Sequence, residues 1–308
     1  MPFPKITEQE RIQRLEPPAG RKIRAVMDTD TFNEIDDQFA VVYSLLSPER
    51  LVMEAFYAAP FYNELSESPG DGMEKSYREL SKILSLMESE VPSYRGSDRY
   101  LPGPDTPVDS EAARNLVERA RTASPEEPLY VLAIGAITNV ASAILLDPSI
   151  IRNIVVVWLG GHSLESRDTK EFNLYQDLHA SRLVLDCGVP LVLIPCGGVT
   201  THLTTTLSEV RDYVKGQGKI GDYLYETYKA CREDHFGASR VIWDMTTVAY
   251  VVEESWTPST LQHSPRISED FRWIPDRSRH LIRYVEFISR DDVFRDFFGK
   301  LRDYNRSV

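Results

Sequence analysis

Short apolar runs of the kind that form buried β-strands recur along the chain, and segments with helical spacing of apolar residues lie between them. The pattern predicts strands at residues 23–27, 51–58, 129–134, 154–159, 191–194 and 281–288. It predicts helices at residues 36–46, 73–87 and 138–146. Because strands that alternate with helices usually form a parallel sheet covered on both faces, we expect an α/β fold with a central, mostly parallel β-sheet flanked by helices.

The same pattern favours a single domain preceded by a short arm. Residues 1–20 are polar and end in Pro-Pro-Ala-Gly, so we interpret them as an N-terminal arm and residues 21–308 as the domain. Residues 94–109 and 257–275 are rich in turn-forming residues and are candidate domain boundaries. The strand–helix alternation resumes after the first, and too little chain follows the second to form a domain. We therefore predict that both are long surface loops.

Composition narrows the range of partners and compartments. The chain has 47 acidic and 35 basic residues, a net charge of −12, so repulsion argues against nucleic acid or an anionic membrane as a partner. The N-terminus lacks the apolar segment of a signal peptide, and no stretch reaches the length of a membrane span. Cys187, Cys196 and Cys231 are scattered, which predicts neither a disulfide framework nor a zinc site. We expect a cytoplasmic protein that acts on a small molecule.

The densest chemistry in the sequence follows the first predicted strand. Asp28, Asp30, Asp36 and Asp37 lie within ten residues. Because carboxylates a few ångströms apart repel one another, such a cluster favours a bound cation, and oxygen ligands favour Ca²⁺ or Mg²⁺ over zinc. Ligands of α/β sheets bind at the carboxyl ends of strands, where this cluster falls. The pattern predicts a site for a hard divalent cation.

Two other interpretations of the cluster remain open on these residues alone. The Asp-Thr-Asp-Thr segment that starts at Asp28 resembles the nucleophile motif of haloacid dehalogenase-like phosphatases, in which Asp28 would be the nucleophile and Asp30 the acid. Asp36 and Asp37 open the next predicted helix, where carboxylates can cap free N–H groups and complement the helix dipole. Four carboxylates at one strand end exceed what capping requires, which favours a metal site.

Segments farther along the chain complete a family pattern. The four aspartates resemble the DxDxxxDD signature of the inosine–uridine-preferring nucleoside hydrolases. The Gly-Ala-Ile-Thr-Asn sequence at residues 135–139 resembles the family's Gly-Pro-Leu-Thr-Asn turn. The further matches, in family order, are Gly160-Gly161, Glu171-Phe172-Asn173 followed by Asp177, and Trp243-Asp244. The ordered set covers about residues 22–255 and is specific, although each piece alone would be weak.

The resemblance implies Ca²⁺-dependent hydrolysis of the N-glycosidic bond of ribonucleosides, and it assigns the metal ligands by position. Asp30, Asp37 and Asp244 would bind Ca²⁺ through their side chains. The main-chain carbonyl of Ile134 would be a further ligand, since a carbonyl ligand tolerates a change of side chain. Asp36 would bind either the metal or the ribose hydroxyls.

The resemblance also implies roles around the sugar. Asp30 would take the proton from the attacking water, and Glu171 and Asn173 would hold the 5′ and 3′ hydroxyls. Breaking the bond develops positive charge on the ribosyl ring, as in glycoside hydrolysis, and a nest of carboxylates would stabilise it. Without the family context, Glu171 and Asn173 would be interpreted as ordinary polar loop residues.

Two departures from the family pattern affect the sugar site. The spacing from Asp30 to Asp36 is two residues longer than in the signature, and the extra length brings Asn33 and Glu34 within possible reach of the substrate. The family's ribose-contacting Asn before Glu171 is not apparent, and Glu165 and Arg167 stand near its place. A loose match after the second strand makes Asn63 a further candidate ribose contact.

A third departure concerns the leaving base. Trp243 stands where the inosine–uridine branch has a histidine that protonates the base, and the purine-specific branch is similar to this chain in having Trp there. We expect Trp243 to stack on a purine, the alternative being a core residue at a helix start. His235 is a candidate loop-borne general acid, with a solvated loop residue as the alternative. His162, after Gly160-Gly161, is another histidine that could face the pocket.

The prediction drawn from the sequence is therefore a Ca²⁺-dependent N-ribosyl hydrolase that acts on purine or related nucleosides. The resemblance implies a homo-oligomer, either a dimer or a tetramer. Two rivals are kept. One is the phosphatase described above, and the other is a non-catalytic ribosyl-ligand binder that has kept the metal and lost the chemistry of the leaving group.

Overall fold

The computed structural model describes residues 3–307, and within them the chain forms one eight-stranded sheet, two two-stranded sheets and eleven α-helices. The strands are β1 (Ile23–Thr29), β2 (Leu51–Ala58), β3 (Ser93–Arg95), β4 (Leu129–Ala133), β5 (Ile154–Leu159), β6 (Leu191–Ile194), β7 (Thr204–Thr206), β8 (Ser239–Val241), β9 (Ser259–His263), β10 (Arg266–Ile267), β11 (Trp273–Ile274) and β12 (Leu281–Val285). The helices are α1 (Glu8–Arg14), α2 (Ile35–Leu45), α3 (Pro69–Leu86), α4 (Glu111–Arg121), α5 (Thr138–Leu146), α6 (Phe172–Gln176), α7 (Leu178–Asp186), α8 (Leu207–Tyr213), α9 (Gly218–Ala230), α10 (Met245–Val252) and α11 (Arg290–Ser307). Shorter helical turns cover Pro148–Arg152, Cys196–Thr200 and Glu254–Trp256.

The large sheet confirms the predicted α/β architecture. Its strand order is β3-β2-β1-β4-β5-β6-β12-β9, and β9 runs antiparallel to β12 whereas the other pairs are parallel. From β1 the chain extends the sheet through β2 and β3, and it then returns to add β4 on the other side of β1. The carboxyl ends of β1 and β4 therefore border a crevice of the kind in which α/β proteins bind ligands.

The central strands are apolar throughout because both faces of the sheet are covered. All six residues of β5 are buried. Val155 and Val157 belong to one apolar cluster, whereas Val156 and Trp158 belong to a second. Since successive side chains of a strand point to opposite faces, the two clusters are the cores above and below the sheet. None of the helices within residues 3–307 is long and apolar enough to cross a membrane.

The structure corrects several predicted boundaries. Residues 257–275 are not simply a surface loop, because they contain β9, which pairs with β12, and the β10–β11 pair. The sequence of β9, Ser-Thr-Leu-Gln-His, is partly exposed at the sheet edge and lacks an apolar run. β12 ends at Val285 rather than at residue 288. α3 begins before residue 73, because Ser68 Oγ accepts a hydrogen bond from Asp71 N at 3.1 Å and Pro69 follows at the first helical position.

The segment predicted as an N-terminal arm contains α1 and contacts the rest of the fold. Thr7 and Glu10 form a capping box, in which Thr7 Oγ1 accepts from Glu10 N at 3.2 Å and Thr7 N donates to Glu10 Oε2 at 2.9 Å. Leu15, just after α1, is fully buried, and its carbonyl accepts a hydrogen bond from Tyr250 Oη at 2.5 Å. The division into an arm and a domain remains a prediction.

We predict that Leu15→Ala destabilises the protein by about 2–5 kcal/mol, because truncation of a fully buried leucine leaves a cavity. Leu146→Ala is the matched control, since that side chain is 40% exposed at the end of α5, and we expect a loss of less than about 1 kcal/mol. Guanidinium denaturation followed by circular dichroism measures both values. Equal losses would show that residues 8–15 do not contribute to the stability of the domain.

Candidate active site

Four aspartates converge at the crevice between β1 and β4. Asp30 follows the last residue of β1, Asp36 and Asp37 lie in the first turn of α2, and Asp244 immediately precedes α10. Each is at most 4% exposed. Carboxylate oxygens of Asp36, Asp37 and Asp244 lie within 4.8 Å of one another. The fold thus joins the N-terminal aspartate cluster to an aspartate far along the sequence.

The hydrogen bonds at the start of α2 argue against capping as the role of this cluster. Glu34 is the N-cap residue of α2, and no side-chain hydrogen bond caps it. Asp37 Oδ1 instead accepts a hydrogen bond from Thr29 Oγ1 at 2.5 Å. Asp37 is therefore held against the end of β1, where the other carboxylates are.

Gly135 allows Asp30 to lie close to the end of β4. A Cβ atom at position 135 would lie 3.1 Å from Asp30 Oδ1 and 3.0 Å from the Cβ of Ala59. The neighbouring Ile134 N donates to the main-chain oxygen of Asp28 at 2.8 Å, which continues the pairing of β1 with β4. A side chain at position 135 would therefore crowd the carboxylate that the sequence predicts as metal ligand and base.

Burial raises the pKa of every carboxyl group in this cluster. For Asp30, Asp36 and Asp244 the pKa lies well above its usual range, first because of burial and then because of neighbouring carboxylates. For Asp37, burial raises the pKa to about 7, and the hydrogen bond from Thr29 partly offsets this rise. Without a cation, protonation would neutralise some of these carboxylates, whereas a divalent cation would keep all four groups ionised.

The residues present fit a hard divalent cation such as Ca²⁺. Asp30 Oδ2 and Asp36 Oδ1 are buried and have no hydrogen-bond partner within residues 3–307. In the same part of the chain, no lysine, arginine or histidine forms an ion pair with any of the four aspartates. All the candidate ligand atoms are oxygens, which matches the preference of Ca²⁺. A buried group of carboxylates with unpaired oxygens is costly without a cation, so the cluster fits a cation site.

Asp28 has a different environment from the other aspartates. It is fully buried, and its Oδ1 accepts a hydrogen bond from Asn139 Nδ2 at 2.7 Å. The same amide group donates to Ala58 O at 3.1 Å, and Asn139 Oδ1 accepts from Ser97 N at 2.7 Å. Burial raises the pKa of Asp28 to about 7, and the bond from Asn139 opposes this rise. Asp28 therefore ties β1 to β2 and α5 through Asn139.

A cavity of about 250 Å³ opens beside the aspartate cluster. Nine residues that the sequence predicts for the site line it, namely Asp30, Asn33, Asp36, Asp37, Ile134, Glu171, Asn173, Trp243 and Asp244. Glu34 and His162 also line it. The structure therefore brings together most of the predicted metal-binding and substrate-binding residues around one cavity of a size suited to a small molecule.

Two predicted residues lie outside this cavity wall. Asn63 donates from Nδ2 to Asn33 Oδ1 at 2.7 Å, so it contacts a lining residue rather than the cavity. His235 stacks on Tyr228 with ring centroids 5.8 Å apart, and its Nε2 lies 3.0 Å from Lys229 O. Their direct roles in binding and catalysis remain predictions. Glu165 and Arg167 are exposed and do not line the cavity either.

The inserted residues after Asp30 are fixed at the cavity rim. Besides the bond from Asn63, Asn33 donates from its main-chain N to Asp30 O at 2.7 Å. Glu34 pairs with Arg240, which donates from Nη2 to Glu34 Oε2 at 2.8 Å. The ion pair connects the start of α2 to β8, the strand just before Trp243.

Glu171, which also lines the cavity, is held by main-chain donors. Its Oε2 accepts from Gly161 N at 2.8 Å and Leu174 N at 3.1 Å, and its Oε1 accepts from Asn173 N at 3.0 Å. Burial raises the pKa of Glu171, and these three donors oppose the rise. Asn173 Nδ2 donates to Leu159 O at 3.1 Å, which leaves Asn173 Oδ1 without a partner within residues 3–307.

Some residues of the site were not predicted from the sequence. Leu159, Lys170 and Cys196 line the cavity, and Asn139 supports it from below through Asp28. Leu159 ends β5, and Cys196 lies two residues after β6. Leu159 and Cys196 could have been predicted from their positions at the carboxyl ends of strands, because those ends meet at the same edge of a parallel sheet. Asn139 could have been predicted from its position in the Thr-Asn pair that opens α5.

The comparisons with known proteins agree with this geometry. A family model described as inosine-uridine preferring nucleoside hydrolase matches residues 25–284. The chain belongs to this family. A relative, the probable uridine nucleosidase 2 of Arabidopsis thaliana, is 23% identical over 242 residues, which cover 72% of this chain and 74% of the relative.

Solved structures of nucleoside hydrolases share the fold. A plant nucleoside hydrolase, the PpNRh1 enzyme, superposes with a TM-score of 0.72 at 18% identity, over 92% of this chain and 99% of that chain. A purine-preferring ribonucleoside hydrolase from Gardnerella vaginalis gives a TM-score of 0.70 at 19% identity, over 92% of this chain and 100% of that chain. Because the Arabidopsis relative is named for uridine and the Gardnerella protein for purines, family membership alone does not assign a base to this chain.

We predict that Asp37→Asn lowers the affinity for Ca²⁺ by about 100-fold or more, because it removes one charge from the ligand cluster. Asp28→Asn is the matched control, since it removes an equally buried charge that points to Asn139, and we expect a loss of less than about tenfold. Calorimetric titration with Ca²⁺ after treatment with a chelator measures both affinities. Similar losses for the two variants would contradict the assignment of ligands.

Proposed function

We propose that this nucleoside hydrolase family member cleaves the N-glycosidic bond of ribonucleosides with a bound Ca²⁺, and that it prefers purine nucleosides. The observation that carries the proposal is a cavity lined by buried carboxylates, two of which have an oxygen without a partner, and by Glu171, Asn173 and Trp243. Carboxylates can bind a cation and sugar hydroxyls at once, and they stabilise positive charge on a ribosyl ring.

Within this proposal the metal ligands are those predicted from the sequence. The side chains of Asp30, Asp37 and Asp244 and the carbonyl of Ile134 would hold Ca²⁺, and Asp36 would bind either the ion or a ribose hydroxyl. When bound, the ion supplies positive charge that keeps the carboxylates ionised and makes a nearby water more acidic.

Asp30 is the proposed general base. Its Oδ2 is buried, has no hydrogen-bond partner within residues 3–307, and belongs to a carboxylate on the cavity wall. It can therefore accept a proton from a water that attacks the anomeric carbon. Burial excludes bulk water from the site, which strengthens the attraction between the carboxylates and the positive charge of the ribosyl ring.

Glu171 and Asn173 are the proposed contacts to the ribose hydroxyls. The main-chain bonds to Glu171 fix its carboxylate in place at the cavity, where it would accept a hydrogen bond from a sugar hydroxyl. Asn173 Oδ1 is a second acceptor, because the amide nitrogen is bound to Leu159 O. Two fixed acceptors on one wall would orient the sugar with its reactive carbon toward Asp30.

Trp243 is the proposed platform for the base. Its side chain is partly buried, packs against the core beneath α10 and lines the cavity. An indole face has the area to stack on a two-ring purine. We further propose that the protein forms a homo-oligomer and is cytoplasmic, as expected from the resemblance and the composition.

The two rival functions predict different outcomes. A phosphatase would use Asp28 as a nucleophile, but Asp28 is fully buried, is bonded to Asn139 and does not line the cavity. A ribosyl-ligand binder would keep the metal site and the sugar contacts without turnover. We infer that a hydrolase is favoured because Asp30 combines a free carboxylate oxygen with a position on the cavity wall.

The first functional prediction concerns Asp30. We expect the wild-type protein to release ribose from a panel of nucleosides and Asp30→Asn to lower kcat by about 10²–10⁴-fold, because the general base is lost. The exposed Asp105→Asn serves as the control and should retain wild-type turnover. Binding without ribose release by the wild type would favour the binder, and Mg²⁺-dependent hydrolysis of p-nitrophenyl phosphate would favour the phosphatase.

The second prediction concerns Trp243. Loss of the stacking face in Trp243→Ala should lower kcat/KM for inosine by about 10-fold or more, whereas Trp243→Phe should retain most of it. Ca²⁺ content, measured by atomic emission on the purified variants, should stay at the wild-type level. Equal losses of turnover and Ca²⁺ in Trp243→Ala would mean that the indole packs beneath Asp244 and does not bind the base.

A further inference from the structure

The loop after β5 brings a histidine ring to the wall of the cavity. Gly160 and Gly161 follow the last residue of β5, and His162 lines the same cavity as Asp30 and Trp243. The roles proposed above for metal, water, sugar and base platform do not involve this ring. It is half-buried, so both the cavity and the protein contact it.

Three hydrogen bonds hold His162 in place. Its main-chain N donates to Thr169 Oγ1 at 3.2 Å, and its carbonyl accepts from Trp273 Nε1 at 3.0 Å. Its ring Nδ1 accepts from the main-chain N of Gly197 at 3.2 Å. Both the backbone and the ring are therefore fixed before any ligand binds, as expected of a group that must meet a ligand in one orientation.

The bond from Gly197 also determines which ring nitrogen carries the proton. A main-chain N–H is always a donor, so Nδ1 must be the acceptor and the proton of the neutral ring is on Nε2. Nε2 has no hydrogen-bond partner within residues 3–307. His162 thus brings a fixed ring with an unpaired N–H donor to a cavity that several carboxylates also line.

Gly197 is shaped to receive this ring. A Cβ atom there would lie 2.6 Å from His162 Nδ1, closer than any real contact. The backbone of Gly197 has φ −65° and ψ 128°, which other residues adopt freely. The absence of a side chain at position 197 is therefore needed for the position of the histidine and not for the backbone.

The other ionisable groups around the cavity serve less well as donors. The carboxylates are acceptors once ionised, and the thiol of Cys196 is buried, bonded to Glu171 and has a pKa well above its usual range. Lys170 is exposed, and its Nζ lies 5.7 Å from the centre of the Tyr175 ring. Among the described ionisable groups around the cavity, His162 is therefore the partly buried donor with a fixed direction.

We propose that His162 donates a hydrogen bond from Nε2 to the leaving base and does so as a neutral imidazole. This inference rests on the proposed hydrolysis. In that reaction the bond from C1′ to the base nitrogen breaks, and its electron pair goes to the base. The oxygen of water bonds to C1′, one water proton goes to Asp30, and the departing base takes a proton from solvent. The hydrogen bond stabilises negative charge on the base, and the imidazole keeps its proton.

Two substrates with different leaving groups test the assignment. Inosine needs help to release its base, whereas p-nitrophenyl β-ribofuranoside releases a phenolate that is stable in water. His162→Leu removes the donor, so its kcat for inosine should fall by about 10²-fold or more, and its kcat for the p-nitrophenyl riboside should fall by less than about threefold. His162→Gln, which keeps an amide N–H near the position of Nε2, should recover at least about a tenth of the wild-type kcat for inosine.

Gly197→Ala tests the same idea with the histidine intact. Its Cβ would displace the ring, so the loss should again be selective for inosine. His263→Leu, an exposed histidine in β9, is the control and should keep wild-type kcat on both substrates. Equal losses on the two substrates would place His162 at the sugar and overturn the assignment, as would an unchanged kcat for inosine. A wild-type protein that hydrolyses neither riboside would overturn the proposed function itself.

Discussion

The desolvation of several carboxylates at one strand end is the constraint on which the rest of the structure depends. Each ionised carboxylate that leaves water costs several kcal/mol, and repulsion among neighbours adds to that cost. Asp30, Asp36, Asp37 and Asp244 are nonetheless almost completely buried. Only a cation among them offsets such a cost while the groups stay ionised. A cation bound at this cluster would therefore stabilise the fold.

The fold meets this constraint through topology and through one neutral partner. Because β4 returns to the side of β1, the ends of two central strands and the starts of α2 and α10 meet at one crevice. The fifth carboxylate, Asp28, accepts from Asn139, an amide that also donates to Ala58 O and accepts from Ser97 N. Asn139 thus pairs with one oxygen of a buried carboxylate without adding a charge to the site.

The sequence predicts much of this arrangement because the features involved are local. Apolar runs predict the buried strands, and the aspartate spacing predicts a metal site at the end of β1. What could not be predicted depends on contacts between distant segments. β9 is polar and forms only because β12 pairs with it. Two further contacts depend on how loops pack and therefore leave no periodic pattern in the sequence. They are the contact of Gly197 with His162 and the hydrogen bond from Asn63 to Asn33.

Charged and hydrogen-bonding groups are unevenly distributed around the cavity. The four aspartates come from the end of β1 and the starts of α2 and α10, whereas His162 and Lys170 lie between β5 and α6 with a single lining carboxylate, Glu171. As a glycosidic bond breaks, positive charge develops on the sugar and negative charge on the base. With the base next to the carboxylates, repulsion would raise the barrier, because a buried site screens charges poorly. For the proposed hydrolysis, electrostatics therefore favours a substrate bound with its sugar toward Asp30 and its base toward His162.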